Sequence, residues 1–213
     1  MPKSLRCFFH VAILLLFAAT AFADTIYNNF GPGNSYQNST GTAWAVGGSG
    51  ESGNAVSFVV PMTASGEYQL TEVQFAANWS FGTNLLTVGL FGPSSDINAA
   101  PLLETWTVSA NAQSTPQLFD VAGNATLLSG QTYYIEMEGN DPNTEWGWQW
   151  NDQMQNGYYS EFAGGQWFPE SGVTPVLEIF ANPVQTTTPE PGTFMLLASG
   201  ILGTAEVVRR KRI

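Results

Sequence analysis

Apolar and polar residues alternate along much of the chain, which is the period of a strand with one face in a core and one in solvent. The pattern is clearest in Tyr133-Tyr134-Ile135-Glu136-Met137-Glu138, where Tyr133, Ile135 and Met137 share one face and Tyr134, Glu136 and Glu138 the other. Leu86, Val88 and Leu90 repeat it within 84–91, and Leu177 and Ile179 do so around Glu178. Between Leu70 and Val73 the apolar parity switches, and a bulge around Thr71-Glu72 would keep both halves of 68–75 facing one core. Further strands are expected at 55–60, 102–108, 117–121, 146–151 and 157–162. The Gly-, Asn- and Ser-rich stretch 24–53 reads as an edge strand with long loops. Helical periodicity is absent from this region, so the fold expected for 24–181 is all-β, a jelly-roll-like β-sandwich.

Two continuous apolar runs break the alternation, one at each end. Lys3 and Arg6 precede the run 11–17, and Ala21-Phe22-Ala23 places small residues at both positions that a signal peptidase reads. Residues 1–23 therefore form a secretory signal peptide with cleavage expected before Asp24, which implies the Sec machinery and signal peptidase as partners. At the other end, 192–208 would span about 25 Å as a helix, close to the roughly 30 Å of a hydrocarbon core. Arg209, Arg210, Lys211 and Arg212 follow and form a membrane stop that should stay cytoplasmic. Glu206 lies inside the run, one turn from this basic end, where the headgroups or Arg209 can reach it. A single C-terminal transmembrane helix is thus expected, joined to the domain by an extended linker at 182–188.

The motif Pro189-Glu190-Pro191, the apolar run and the Arg-rich end resemble the PEP-CTERM sorting signal of Gram-negative bacteria. The resemblance covers 189–213. It implies that an exosortase cuts near the motif, that the precursor sits transiently in the inner membrane, and that the product is exported to the cell surface or extracellular matrix. A single-span anchor that nothing cleaves is the other reading of the same residues. Within 24–181 the opening Tyr27 to Tyr36, the Trp44-Ala45-Val46-Gly47-Gly48 stretch, the Leu128 to Tyr134 run and the Trp146-to-Trp150 strand are similar to choice-of-anchor domains of the R type. That resemblance implies a surface location and a sandwich fold, and it implies no activity.

Removing both ends changes the chemistry available. All six Lys and Arg, the only His (His10) and the only Cys (Cys7) lie in the two end segments, while sixteen of the seventeen carboxylates lie within 24–191. The exported part is acidic, with a formal charge of −16 and no basic group to offset it. A serine nucleophile would lack its base, zinc and haem sites built on His or Cys are excluded, and nucleic acid would be repelled. The fold has neither disulfides nor Lys or Arg salt bridges to hold it.

Three groups of residues remain as candidate chemistry. Trp146, Trp148 and Trp150 at i, i+2 and i+4 could form a platform for sugar rings, with Asn151, Gln153, Tyr158 and Trp167 as partners; buried, the same indoles are core. Asp141, Asn143 and Glu145 have the alternate spacing of calcium ligands, but Trp146 stands where such a loop needs Gly, and an Asp-Pro turn explains them equally well. No cofactor is expected beyond calcium held weakly by the acidic surface. Glu136 and Glu138, roughly 7 Å apart along one strand face, match a spacing that glycosidases use, and a solvent-facing polar edge is the other reading. The first functional reading is a non-enzymatic surface or matrix protein. The second is a module that binds extracellular polysaccharide, and the third a carboxylate-based glycan hydrolase.

Overall fold

Strands form where the alternation predicts them, and in several places where it does not. The computed structural model describes residues 23–38, 43–48 and 53–184. Among these, thirteen strands occur: β1 (Asp24–Asn28), β2 (Ala43–Gly47), β3 (Asn54–Val59), β4 (Glu67–Phe81), β5 (Leu86–Phe91), β6 (Leu102–Val108), β7 (Gln117–Ala122), β8 (Thr126–Leu128), β9 (Thr132–Gly139), β10 (Glu145–Gln149), β11 (Asn156–Ala163), β12 (Gln166–Val173) and β13 (Leu177–Pro183). The signal peptide through residue 22, the sorting motif and the transmembrane and basic segments lie outside the described residues. Among the described residues no helix is long and apolar enough to cross a membrane.

The strands make two antiparallel sheets that face each other as a sandwich. The second sheet runs β12-β11-β3-β9-β5-β6. The first is organised by β4, fifteen residues long. One edge of β4 carries β13 and β10 in succession, and the other carries β8 and β7. Beyond β13 lies β1, and beyond β10 lies β2, so the 24–53 stretch contributes two edge strands to the first sheet where one was expected. The bulge in β4 is present: Phe180 of β13 pairs with Glu72 and Ala181 with Leu70, leaving Thr71 unpaired. That extra residue lets Leu70 and Val73 both point inward, and both are buried.

The core is built from the two inner faces. Val73, Phe75, Trp146, Trp148, Leu177 and Ile179 of the first sheet meet Val56, Val88, Leu90, Tyr133, Ile135 and Met137 of the second, all fully buried. No Lys, Arg or His is present between residues 23 and 184, so apolar burial and hydrogen bonding carry the stability. Buried side-chain amides do part of this work. Asn29 donates from Nδ2 to Thr174 Oγ1 (2.9 Å) and Pro175 O (2.7 Å) and accepts at Oδ1 from Leu177 N (2.6 Å), fastening the end of β1 to the start of β13.

Two expectations are corrected. Asn182 and Pro183 are not linker: β13 continues through Pro183, where it pairs with Tyr68, and Val184 N donates to Glu67 O. The sandwich therefore extends past residue 181. The other is β12, which the sequence reading omitted. Its Pro169, Ser171 and Gly172 are poor strand formers, but β12 is an edge strand, where a missing N–H does no harm. It is held to β11 by the two-residue turn Gly164-Gly165, both at positive φ (58° and 85°).

Candidate functional site

The tryptophan run does not form an open platform. β10 lies between β4 and β2, and its inner face looks into the sandwich. Trp146 and Trp148 are accordingly fully buried. Trp148 Nε1 donates to Val176 O at 2.8 Å, while Trp146 Nε1 has no partner. Trp150 lies past the end of β10, half-buried, stacked on Trp44 at 5.5 Å between ring centres. Trp44 in turn meets Tyr159 edge-on at 4.5 Å. Asn151 is buried and holds Gln155 O and Thr174 O, so it is structural, and Gln153 donates to its neighbour Asp152. Of the four side chains expected to assist the indoles, Tyr158 and Trp167 lie elsewhere, on the second sheet.

That sheet's outer face is where polar and aromatic groups converge. Cross-strand register puts Phe91, Tyr134, Ser57, Tyr158 and Ser171 in one row and Gly89, Glu136, Ala55, Ser160 and Pro169 in the next. The 92–101 loop folds back over this face. Its 3-10 turn, Ile97–Ala99, presses Ile97 onto Ala55 and Tyr134. Asp96 caps the turn by accepting from Asn98 N at 2.9 Å. Asn98 is clamped to the main chain of Trp167 by two hydrogen bonds, Nδ2 to the carbonyl (3.1 Å) and Oδ1 from the N–H (3.0 Å).

Between this loop and β11 and β12 is an open cleft of about 400 Å³, within the size range of small-ligand sites. Tyr134, Tyr158 and Pro169 supply its apolar walls, and Ser57, Thr132, Ser160 and Asp96 its polar groups. Tyr158 is 74% exposed. The Tyr134 hydroxyl has its pKa raised by burial and by the Asp96 carboxylate. Nothing in the sequence marked this cleft, because it depends on a loop that crosses strands distant from it in the chain.

Glu136 stands on the outer face as alternation predicts, but half-buried there. Glycines on either side leave space that its carboxylate fills: a Cβ at Gly53 would meet Oε1 at 3.5 Å, and one at Gly89 would meet Oε2 at 3.4 Å. Trp167 and Phe162 converge on the Gly53 side, Phe91 and Leu102 on the Gly89 side. Burial in these surroundings, with Glu138 adding repulsion, pushes the Glu136 carboxyl up to about 7. Glu136 and Glu138 do not line the cleft.

Asp141 forms a turn. Its carboxylate accepts from Asn143 N (2.8 Å) and Thr144 Oγ1 (2.8 Å). Hydrogen bonds from Thr83, Thr144 and Asn143 N hold its pKa below the ordinary range. Both oxygens are thus engaged by the protein itself. Among the described residues no three carboxylates are grouped to hold a metal.

An all-β sandwich with an acidic surface and no basic side chain is the class these features define. Residues 187–212 match the PEP-CTERM protein-sorting motif. The chain therefore carries the signal of an exosortase-targeted surface protein, made as an exported precursor that passes through the membrane. No curated protein matches the chain. Two solved structures are similar in shape at 11% identity. One is the cysteine protease and lectin-like domains of Cwp84, a surface layer associated protein of Clostridium difficile, at a TM-score of 0.43, with 62% of this chain and 32% of that one covered. The other is a clostridial Cwp84 cysteine protease variant after propeptide cleavage, at 0.45, with 69% and 39% covered. The chain spans about a third of those proteins, and likeness at this level carries no functional argument.

Proposed function

We propose that this is a non-enzymatic protein of the cell surface or extracellular matrix, released to its site by exosortase processing of the tail. The observation that carries the reading is the sorting motif at 187–212, joined to a domain without any basic, imidazole or thiol side chain. Similarity of 24–181 to choice-of-anchor surface domains supports the same location. Signal peptidase acts before Asp24 and exosortase near Pro189-Glu190-Pro191, with the Arg209-to-Arg212 end holding the precursor in the inner membrane until the second cut. The test is fractionation of cells carrying an epitope within the domain. Tail-free protein outside the cell, with Glu190→Ala accumulating at full length in the membrane, is the expected result. Efficient cutting of Glu190→Ala would overturn it.

A second reading is favoured by the cleft beneath the 92–101 loop: the domain binds extracellular polysaccharide there, using the exposed Tyr158 and Pro169 in place of the buried indoles. Binding rather than hydrolysis is the reading proposed for this cleft, since Glu136 and Glu138 are not in its lining and Glu138 faces a separate pocket beside Asp141. Sugar release that Glu136→Gln abolishes in a folded protein would restore the hydrolase reading.

A further inference from the structure

We propose that the cleft beneath the 92–101 loop selects uncharged saccharide chains and rejects those carrying carboxylate, sulfate or phosphate; this rests on the polysaccharide reading above. The walls suit the class. Tyr158 and Pro169, both exposed, offer apolar faces of the kind that pack on the C–H faces of a sugar ring, over the buried Tyr134. Ser160 and Thr132 line the same space with hydroxyls that make no side-chain hydrogen bond within the described residues, and Ser57 Oγ, which donates to Tyr158 O at 3.1 Å, keeps its acceptor capacity. Hydroxyl groups on a ligand can pair with each of these.

The charge argument supplies the selectivity. Asp96 lines the cleft beside the Tyr134 hydroxyl and is the carboxylate of its lining among the described residues. No cation lies anywhere between residues 23 and 184. An anionic sugar entering here would meet only like charge and find no guanidinium or ammonium to neutralise it. Discrimination then comes from a repulsive element built into the site and not from an added attraction.

The test is calorimetric titration of the full-length chain in detergent with a neutral β-glucan oligomer and with an oligogalacturonate of equal length. The neutral oligomer should bind, and the uronate should bind at least about tenfold more weakly at low salt, with a gap that narrows as salt is added. Tyr158→Ala, at an exposed position, should keep its near-ultraviolet circular dichroism and lose about tenfold in affinity for the glucan. Asp96→Asn keeps the acceptor that caps the turn, so it should raise uronate affinity and leave glucan affinity unchanged. Uronate binding equal to or tighter than glucan overturns the selectivity and leaves polysaccharide binding standing. Glucan binding that Tyr158→Ala does not weaken moves the site out of this cleft, and absence of binding by either oligomer removes the polysaccharide reading itself.

Discussion

Replacing Glu136 with Gln should stabilise the protein at neutral pH and above, against the usual direction for a change at a half-buried position. The carboxyl is raised from 4.5 to about 7 in the fold. The folded state therefore binds a proton more tightly than the unfolded chain between those values, and stability falls as pH rises across that window. At 1.36 kcal/mol per pH unit the full loss is at most about 3 kcal/mol. Below pH 4.5 the carboxyl is protonated in both states and the loss disappears. Gln has nearly the same shape and never ionises, so it should escape the loss altogether.

Urea unfolding followed by tryptophan fluorescence, on both proteins from pH 4 to pH 9, reads this directly. Glu72 and Glu178 also have raised pKa values, chiefly from burial, but both proteins retain them and the difference between the two curves isolates Glu136. That difference should be near zero at pH 4, grow through pH 5 to 7, and level off above pH 8 with the Gln form more stable. In thermal unfolding the plateau corresponds to roughly 6–10 °C in Tm for a domain of this size. Parallel curves, or a Gln form that is less stable at pH 8, would show that water or an unseen partner solvates the carboxylate, and the argument from burial would be refuted.

Other outcomes follow from the same structure. Trp148→Phe should cost about 1–3 kcal/mol more than Trp146→Phe in equilibrium unfolding, because only Trp148 leaves a buried acceptor, Val176 O, without its donor. Asn29→Ala should destabilise by about 3 kcal/mol or more, since it strips partners from Leu177 N and Pro175 O at once. Gly82→Ala should be poorly tolerated and lower Tm: Gly82 has φ of +80°, and a Cβ would run into the Asn143 carbonyl oxygen and the Thr144 backbone.

Strands whose two faces differ were legible from residue types alone. The 133–138 run, the parity switch that the Thr71 bulge resolves, and the core role open to Trp146 and Trp148 all follow from a period of two. Segments that owe their conformation to a partner were not. β12 is strand because a Gly-Gly turn lays it on β11, and β2 because Trp44 and Val46 pair with Trp148 and Trp146. The Gly164-Gly165 pair was the available signal for β12. Glu136 differs for a related reason: alternation assigns a residue to a face but cannot tell how open that face is, and here Phe162 and Trp167 near Gly53 and Phe91 and Leu102 near Gly89 crowd the carboxylate and leave it half-buried. Asn78-Trp79-Ser80, which matches a glycosylation acceptor by pattern, is interior strand with Asn78 accepting from Gln149 Nε2 at 2.5 Å.

The first and last strands of the sandwich lie next to each other in opposite senses, Asp24 opposite Ala181. Where the chain enters the domain is therefore also where it leaves. The tail that carries the sorting motif at 187–212 is thus tethered at the same pole as Asp24, which leaves the opposite pole clear of the tether. Release by an exosortase would then be a matter of cutting one cord at that pole, with no need for the folded body to turn over on its way out.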